Sequence, residues 1–368
     1  MDKNTLQLRA IYKKYNPSYP TNFKKNNERI KNIFSMLNLP LDVFKKLTIG
    51  NFGCGTGEFD VFMAQEGHQV FGYDINLKSI KIANDYKKKF NLKNLNFEKK
   101  EFFNIKKNFD IVCSFATIHH LKKPYDGLSY LMKKVKKNGF LVVSSGLLVS
   151  NTQHLLMKKI SRLWGDDPDS IYKNSEKLFK NHINRAVKIG HRKKRNVIYD
   201  QFVNPIHNYL SIEKIFKLIG KKFELYSCYP KTFGPISESP YKKRDTNYEK
   251  DLLSLTSIYW SLKSETDKKY LINHNILVQR QLKILEKINT SNNLYKLNIN
   301  KEILKNSFNF TKLNHHNDMF FCEILDIIEF IKKKPKIDQM KKKIDSYKYL
   351  FKGTCGVGIN YFVFKKNY

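Results

Sequence analysis

At 368 residues the chain has room for one large domain or two smaller ones, and 41% apolar with 14% aromatic residues exclude a disordered polypeptide. A net charge of +35 suggests a nucleic-acid binder, yet only eight of the 68 basic residues are arginine, the usual reader of bases and phosphates. A lysine-coated surface, of the kind AT-rich coding produces along with abundant asparagine and isoleucine, is favoured over a selected polyanion-binding face.

Residues 1–45 read as a helical N-terminal segment, with Tyr12, Tyr15 and Tyr19 ahead of Pro20. An alternating rhythm then begins. "LTIGN" (47–51) is a short apolar strand, and "EFDVFMAQEG" places Phe59, Phe62 and Met63 at helical spacing. "HQVFGYD" is a second strand, and "SIKIANDYKKKF" carries Ile82, Tyr86 and Phe90 in helical steps. "NLNFEKK" and "FDIVCSF" are the third and fourth strands. "LSYLMKKV" sets Leu128, Leu131, Met132 and Val135 on one helical stripe, and "GFLVVSSG" is a fifth strand. Near-continuous apolar strands alternating with helices imply a parallel sheet covered on both faces. Beyond residue 150 a helix is expected at 211–220, with Ile212, Ile215, Phe216 and Ile219 on one face and Gly220 as its C-cap, followed by a sixth strand in "KKFELYSCYP". A long polar, mainly helical stretch follows, with apolar stripes at Val278, Leu282, Leu285 and at Ile324, Ile327, Ile328, Ile331. The chain closes on the strand "INYFVF" (359–364).

Gly53, Gly55 and Gly57 in "GNFGCGTG" lie between a strand and a helix, where bare backbone and free N–H groups admit a ligand closely. A dinucleotide fingerprint needs glycine at the sixth position, which is Glu58, and an acidic helix start suits a ligand end without phosphate. Asp74 ends the second strand, 21 residues after Gly53, where a carboxylate can accept both hydroxyls of a ribose.

These motifs resemble the class I S-adenosylmethionine-dependent methyltransferases, in particular the group with an "LDxGCGTG" motif. The similarity continues through "FDIVCSFATIHHL" and "LMKKVKKNGFLVVS" and covers roughly residues 45–150. It implies a Rossmann-like, doubly wound seven-stranded sheet and S-adenosylmethionine as methyl donor. By resemblance, Gly53, Cys54, Gly55 and Gly57 line the methionine end, and Asp74 with Ile75 takes the ribose. Glu101 and Phe102 stand near the adenine, while Ser114, Phe115 and Ala116 lie under the sulfonium. Asn51 replaces the motif's acidic residue, altering one polar contact, and "NGF" at 138–140 replaces the usual "PGG" turn.

Transfer from a sulfonium is an in-line displacement, so positioning matters most and a base is needed only for a hydroxyl or a protonated amine. "SFAT" after strand four is unlike the "NPPY"-type motif of base-amino methylation, and Cys113 lacks the Pro-Cys setting of a cytosine-C5 nucleophile. His119 and His120 follow the fourth strand, read mainly as rim residues with substrate contact as the alternative. The segment "HRKKRNVIYDQFVNPIHNYLS" (191–211) holds Arg192, Arg195, Asp200, His207 and Tyr209. A solvated loop is its plain reading; its functional reading is an acceptor pocket, with Arg192, Arg195 and Tyr209 binding an anionic substrate. His120, Asp200 and His207 are the candidate bases.

Five cysteines (54, 113, 228, 322, 355) without CxxC spacing imply neither a zinc site nor a disulfide framework, and no metal is expected. No apolar signal region opens the chain and no run is long enough to span a membrane, so a cytoplasmic protein is expected. The expected organisation is a helical segment at 1–45, a cofactor-binding core at 46–230, a mainly helical insertion or cap at 231–352, and a last strand at 353–368 returning to the core sheet. The function expected is methyl transfer to a small-molecule or glycan-like, possibly anionic acceptor. An RNA methyltransferase and a non-catalytic cofactor-binding scaffold are the rivals.

Overall fold

Uninterrupted runs of β-branched and aromatic residues become the strands, and the amphipathic stretches between them become the helices. The computed structural model describes residues 10–12, 23–39, 46–190, 193–229, 275–299, 316–352 and 359–367. In chain order these hold α1 (Phe23–Met36), β1 (Thr48–Phe52), α2 (Glu58–Gln65), β2 (Gln69–Asp74), α3 (Leu77–Lys89), β3 (Leu95–Lys99), β4 (Phe109–Phe115), α4 (Pro124–Lys134) and β5 (Val135–Ser145). Then come α5 (Thr152–Ile160), α6 (Pro168–Gly190), α7 (Lys194–Ile198), α8 (Ile212–Ile219), β6 (Phe223–Tyr229), α9 (Asn275–Thr290), α10 (His316–Lys332), α11 (Ile337–Ser346) and β7 (Asn360–Lys366).

The seven strands form one sheet in the order β3-β2-β1-β4-β5-β7-β6. The first five are parallel, and β7 runs antiparallel between β5 and β6. The Rossmann-like α/β architecture is therefore as expected. β1, β4 and the second half of β5 are buried along nearly their whole length, which is why they read as apolar runs and not as alternating ones. Phe52 packs edge-on against Phe109, with ring centroids 6.1 Å apart, and Tyr73 and Phe71 surround the same ring.

One boundary differs from the sequence reading. Val135 continues the α4 stripe in the sequence but opens β5, pairing with Phe109. Two neighbours hold that start in the sheet. The Lys136 amine lies 3.1 Å from an Asp110 oxygen, and Asp110 also accepts from the Thr48 amide at 2.8 Å. A left-handed Asn138 (φ 59) then turns the strand before Phe140 resumes the ladder.

The chain divides into two compact units: residues 1–146, 204–231 and 359–368, and residues 147–203 with 232–358. Residues 147–203, which the sequence reading kept with the core, cluster in the second unit. The first unit contains the whole sheet. In the second, Ile324, Ile327, Ile328 and Ile331 of α10 are fully buried, as are Leu285, Ile288 and Met340. Its α6 is kinked at Phe179 (φ −124, ψ 31), and a π turn runs over Tyr199–Val203. No helix among the described residues is long and apolar enough to cross a membrane.

Candidate functional site

The site is built where β1, β2 and β4 end side by side. The Gly53 and Cys54 amides both donate to the Tyr73 carbonyl, at 2.7 and 2.9 Å, which curls the chain leaving β1 over the end of β2. Gly53, Gly55 and Gly57 all sit at positive φ (82, 58 and 80°), a region that costs side-chain-bearing residues. At Gly53 the space of a side chain is already filled, since an added Cβ would lie 2.3 Å from Thr117 Oγ1. Gly55 differs, because a Cβ there meets nothing within 4 Å. Bare backbone facing open space at the sheet's carboxyl edge is a cradle for a ligand.

Asp74 fixes this loop. Its Oδ2 accepts from the Gly55 amide at 2.9 Å and its Oδ1 from the Asn76 amide at 2.8 Å. Burial pushes its carboxyl above the ordinary range, while the amides of Asn76, Gly55 and Ile75 pull it back. Beyond it opens a cleft of about 700 Å³ lined by Tyr12, Ile75, Asn76, Leu77, Lys100 and Glu101. Ile75 (37% exposed) and Leu77 (49%) offer uncovered apolar surface beside it. Phe102 instead packs among Phe52, Phe103 and Tyr130. A second hollow, of about 410 Å³, is lined by Phe71, Tyr73, Glu98 and Lys107 and contains no loop glycine.

Asn51 and Asp60 resolve the departure from the motif. The Asn51 amide donates to Asp60 Oδ2 at 2.9 Å, with both side chains buried. A carboxylate is thus present, carried by α2 instead of β1. Burial pushes the Asp60 carboxyl well up, with the Asn51 hydrogen bond opposing that rise.

At the end of β4, Ser114 is turned inward, its hydroxyl donating to the Phe52 carbonyl at 2.9 Å. Phe115 packs edge-on against Phe59 at 4.8 Å. Ala116 holds a left-handed conformation (φ 52), rare for alanine, and its amide donates to Ser144 Oγ at 3.0 Å. Such strain is retained where surrounding structure enforces it, often at functional sites. Thr117 Oγ1 donates to the Phe115 carbonyl, 3.0 Å away, and lies 3.4 Å from the Gly53 carbonyl, tying this turn to the glycine loop.

The next turn, Ile118–His120, meets the segment leading to α8. The Asn208 amide donates to the His119 carbonyl at 2.8 Å, and the Leu210 amide to the Gly146 carbonyl at 3.0 Å. His120 Nδ1 lies 2.9 Å from the Ile206 carbonyl and 3.2 Å from the Asn204 amide nitrogen; the shorter contact, to an oxygen that can only accept, assigns the proton to Nδ1 and the lone pair to Nε2. His119, His120 and His207 converge, with ring centroids 4.1, 4.7 and 5.4 Å apart. Tyr209 packs beside His207 at 4.9 Å and Tyr12 stands edge-on to His120 at 6.0 Å.

Other candidates fall elsewhere. Asp200 and Arg195 belong to the second unit, where Arg195 lies over the Tyr199 ring and Asp200 acts on the buried Lys158. Burial drives that lysine's pKa well below its usual range; Arg162 pushes it the same way and Asp200 opposes. Arg192 lies outside the described residues. Asn204 was missed by the sequence reading. It is fully buried, its Oδ1 accepts from the Ile206 amide at 2.9 Å, and its amide reaches Tyr12 Oη at 3.3 Å. The Asn-Pro pair that begins there was a readable turn signal.

Residues 44–190 match the family model described as a methyltransferase domain. With the sheet order and the glycine loop, this identifies the fold as that of the class I S-adenosylmethionine-dependent methyltransferases, a class of transferase enzymes. Among curated proteins none matches the chain. Several solved structures are similar to it. Magnesium protoporphyrin IX methyltransferase from Synechocystis is 18% identical over 40% of this chain and 77% of its own, with a TM-score of 0.33. An S-adenosylmethionine-dependent methyltransferase from Mesorhizobium loti is 19% identical over 33% of this chain and 55% of its own, at 0.29. PKMT2 from Rickettsia typhi is 13% identical over 66% of this chain and 49% of its own, at 0.44. The chain spans about half the length of the last two.

Proposed function

We propose that this protein transfers a methyl group from S-adenosylmethionine to a hydroxyl of a small-molecule or glycan-like acceptor. The observation that carries the reading is the histidine cluster at the end of β4, tied through Thr117 to the glycine loop. S-adenosylmethionine, when bound, supplies a methyl group already activated for displacement.

The residues present fit such a donor. The open space at Gly55 leaves backbone against which the methionine end can lie. Asp74 keeps acceptor capacity for ribose hydroxyls beyond its backbone donors. Ile75 and Leu77 offer apolar cover for an adenine, and Glu101 stands at the same cleft to accept from its amino group. On the acceptor side, Tyr12, His120 and His207 are the partly exposed aromatic and polar groups, backed by the buried His119 and Tyr209. His120 presents a lone pair at Nε2, and the acceptor's proton leaves at this cluster.

The test is incubation with methyl-labelled S-adenosylmethionine, pooled hydroxylated metabolites and glycans, and bulk RNA as a separate arm. Label is expected in an O-methyl product of the first pool, with turnover falling roughly 10²–10⁴-fold in His120→Ala or His207→Ala. Label in RNA would support the nucleic-acid reading instead, and donor binding without transfer to any pool would support a scaffold.

A further inference from the structure

The three histidines do more than share a wall. Their nitrogen atoms, one from each ring, all lie within 4.8 Å of one another. Two of the rings also contact protein oxygens through Nδ1. His120 Nδ1 donates to the Ile206 carbonyl at 2.9 Å, and His119 Nδ1 lies 3.4 Å from Ser145 Oγ. Metal-binding imidazoles are commonly oriented by such a contact to a carbonyl or hydroxyl at the nitrogen that does not ligate the ion. Three nitrogens about a tetrahedral zinc at 2.0–2.1 Å stand about 3.3 Å apart, so small side-chain rotations bring the cluster to a ligating geometry.

We propose that His119, His120 and His207 bind one divalent transition-metal cation, zinc in the first instance, that holds and activates the acceptor. The ligand set is three neutral imidazoles. That donor chemistry selects zinc, cobalt, nickel or copper and disfavours magnesium and calcium, which require oxygen ligands. Three protein ligands leave coordination positions open, as in catalytic and not structural zinc sites. The role in transfer rests on the reading of this cluster as the acceptor site; binding of the cation does not. With the ion in place, the His120 lone pair goes to the metal, and the cation instead makes the hydroxyl acidic. The coordinated hydroxyl releases its proton to water. An oxygen electron pair then forms the C–O bond as the carbon–sulfur bond breaks, and the sulfonium becomes a neutral thioether. The cysteine pattern gave no hint of such a site, because the ligands come from two chain segments that meet only in the fold.

The experiment is titration of the full-length, chelator-treated protein with cobalt(II), followed by its visible absorption, with zinc(II) and magnesium(II) as competitors. S-adenosylhomocysteine binding is measured in parallel on wild type, His119→Ala, His120→Ala, His207→Ala and the milder His207→Gln. One cobalt per chain is expected, displaced by zinc and not by magnesium. Its affinity should fall at least tenfold in each variant while S-adenosylhomocysteine affinity holds, which also shows that each variant is folded. Absence of saturable cobalt binding in wild type, or equal binding in every folded variant, overturns the proposal. Cobalt binding without S-adenosylhomocysteine binding would instead sink the methyltransferase reading and leave the metal site standing.

Discussion

Two glycines two positions apart separate what the loop does for the fold from what it does for a ligand. Gly55 and Gly57 both have positive φ (58 and 80°), so alanine at either pays the left-handed penalty of about 1–2 kcal/mol. At Gly55 there is no further cost in the free protein, because a Cβ meets nothing within 4 Å. At Gly57 a Cβ falls 2.5 Å from Phe97 Cζ and 3.0 Å from Ala83 Cβ, and such overpacking adds about 1–3 kcal/mol. Gly57→Ala should therefore be the more destabilised, by about 2–5 kcal/mol in all. Gly55→Ala should lower the melting temperature by only about 2–8 °C, at about 2–4 °C per kcal/mol for a unit of this size. Ligand affinity should rank the other way. The new methyl of Gly55→Ala projects into the space assigned to the donor, and at least a tenfold loss of S-adenosylhomocysteine affinity, about 1.4 kcal/mol, is expected. Urea unfolding and calorimetric titration on the same preparations give both quantities. A folded Gly55→Ala that binds S-adenosylhomocysteine as wild type does would refute the cradle.

The Asn51–Asp60 pair makes a second prediction: Asn51→Asp sets two buried acids against each other and should cost about 1–3 kcal/mol in urea unfolding, whereas Asn51→Asp with Asp60→Asn restores a pair and most of the loss. A double variant no better than the single would show that the pair is not coupled. Asp110 yields a pH dependence. Burial alone would raise its carboxyl, but the Thr48 hydroxyl and amide and the Lys136 amine outweigh burial and lower it. A depressed folded-state value stabilises above the unfolded carboxylate range, near about pH 4, and is lost as pH falls through the folded value. Asp110→Asn should thus be less stable than wild type at neutral pH, with the gap closing on acidification; a gap independent of pH contradicts this. Finally, β7 lies between β5 and β6, so we propose that the segment after β6 is an insertion into the sheet domain. Deleting 357–368 should leave the protein insoluble or unable to bind S-adenosylhomocysteine, and a soluble, binding-competent chain ending at residue 230 would exclude the insertion.

What could be read in the sequence was what is local. β4 was expected at 109–115 and lies there, because a buried central strand announces itself as an apolar run. The glycine loop was legible for the same reason: its geometry is set by three residues with no side chain. The end of α4 was not, since Val135 satisfies a helical stripe and a strand equally well, and only its pairing with Phe109 decides. Asn51 reads in the sequence only as an altered polar contact, because its partner Asp60 becomes a neighbour only once α2 packs on the sheet. The histidines show the limit most clearly. Each was read separately, as rim or base, while their meeting depends on Asn208 and Ile206 fastening a distant segment onto the turn after β4. Asp200 shared that segment in the sequence, yet clusters with the other unit.

The central claim is that the ends of β1 and β2 hold S-adenosylmethionine. Calorimetric titration of the full-length protein with S-adenosylhomocysteine, alongside Asp74→Ala, tests it most directly. One molecule should bind per chain, and loss of the Asp74 carboxylate should weaken binding by about 1–3 kcal/mol, roughly 5- to 150-fold. Absence of saturable binding by the wild-type protein, or identical affinity in folded Asp74→Ala, would contradict it.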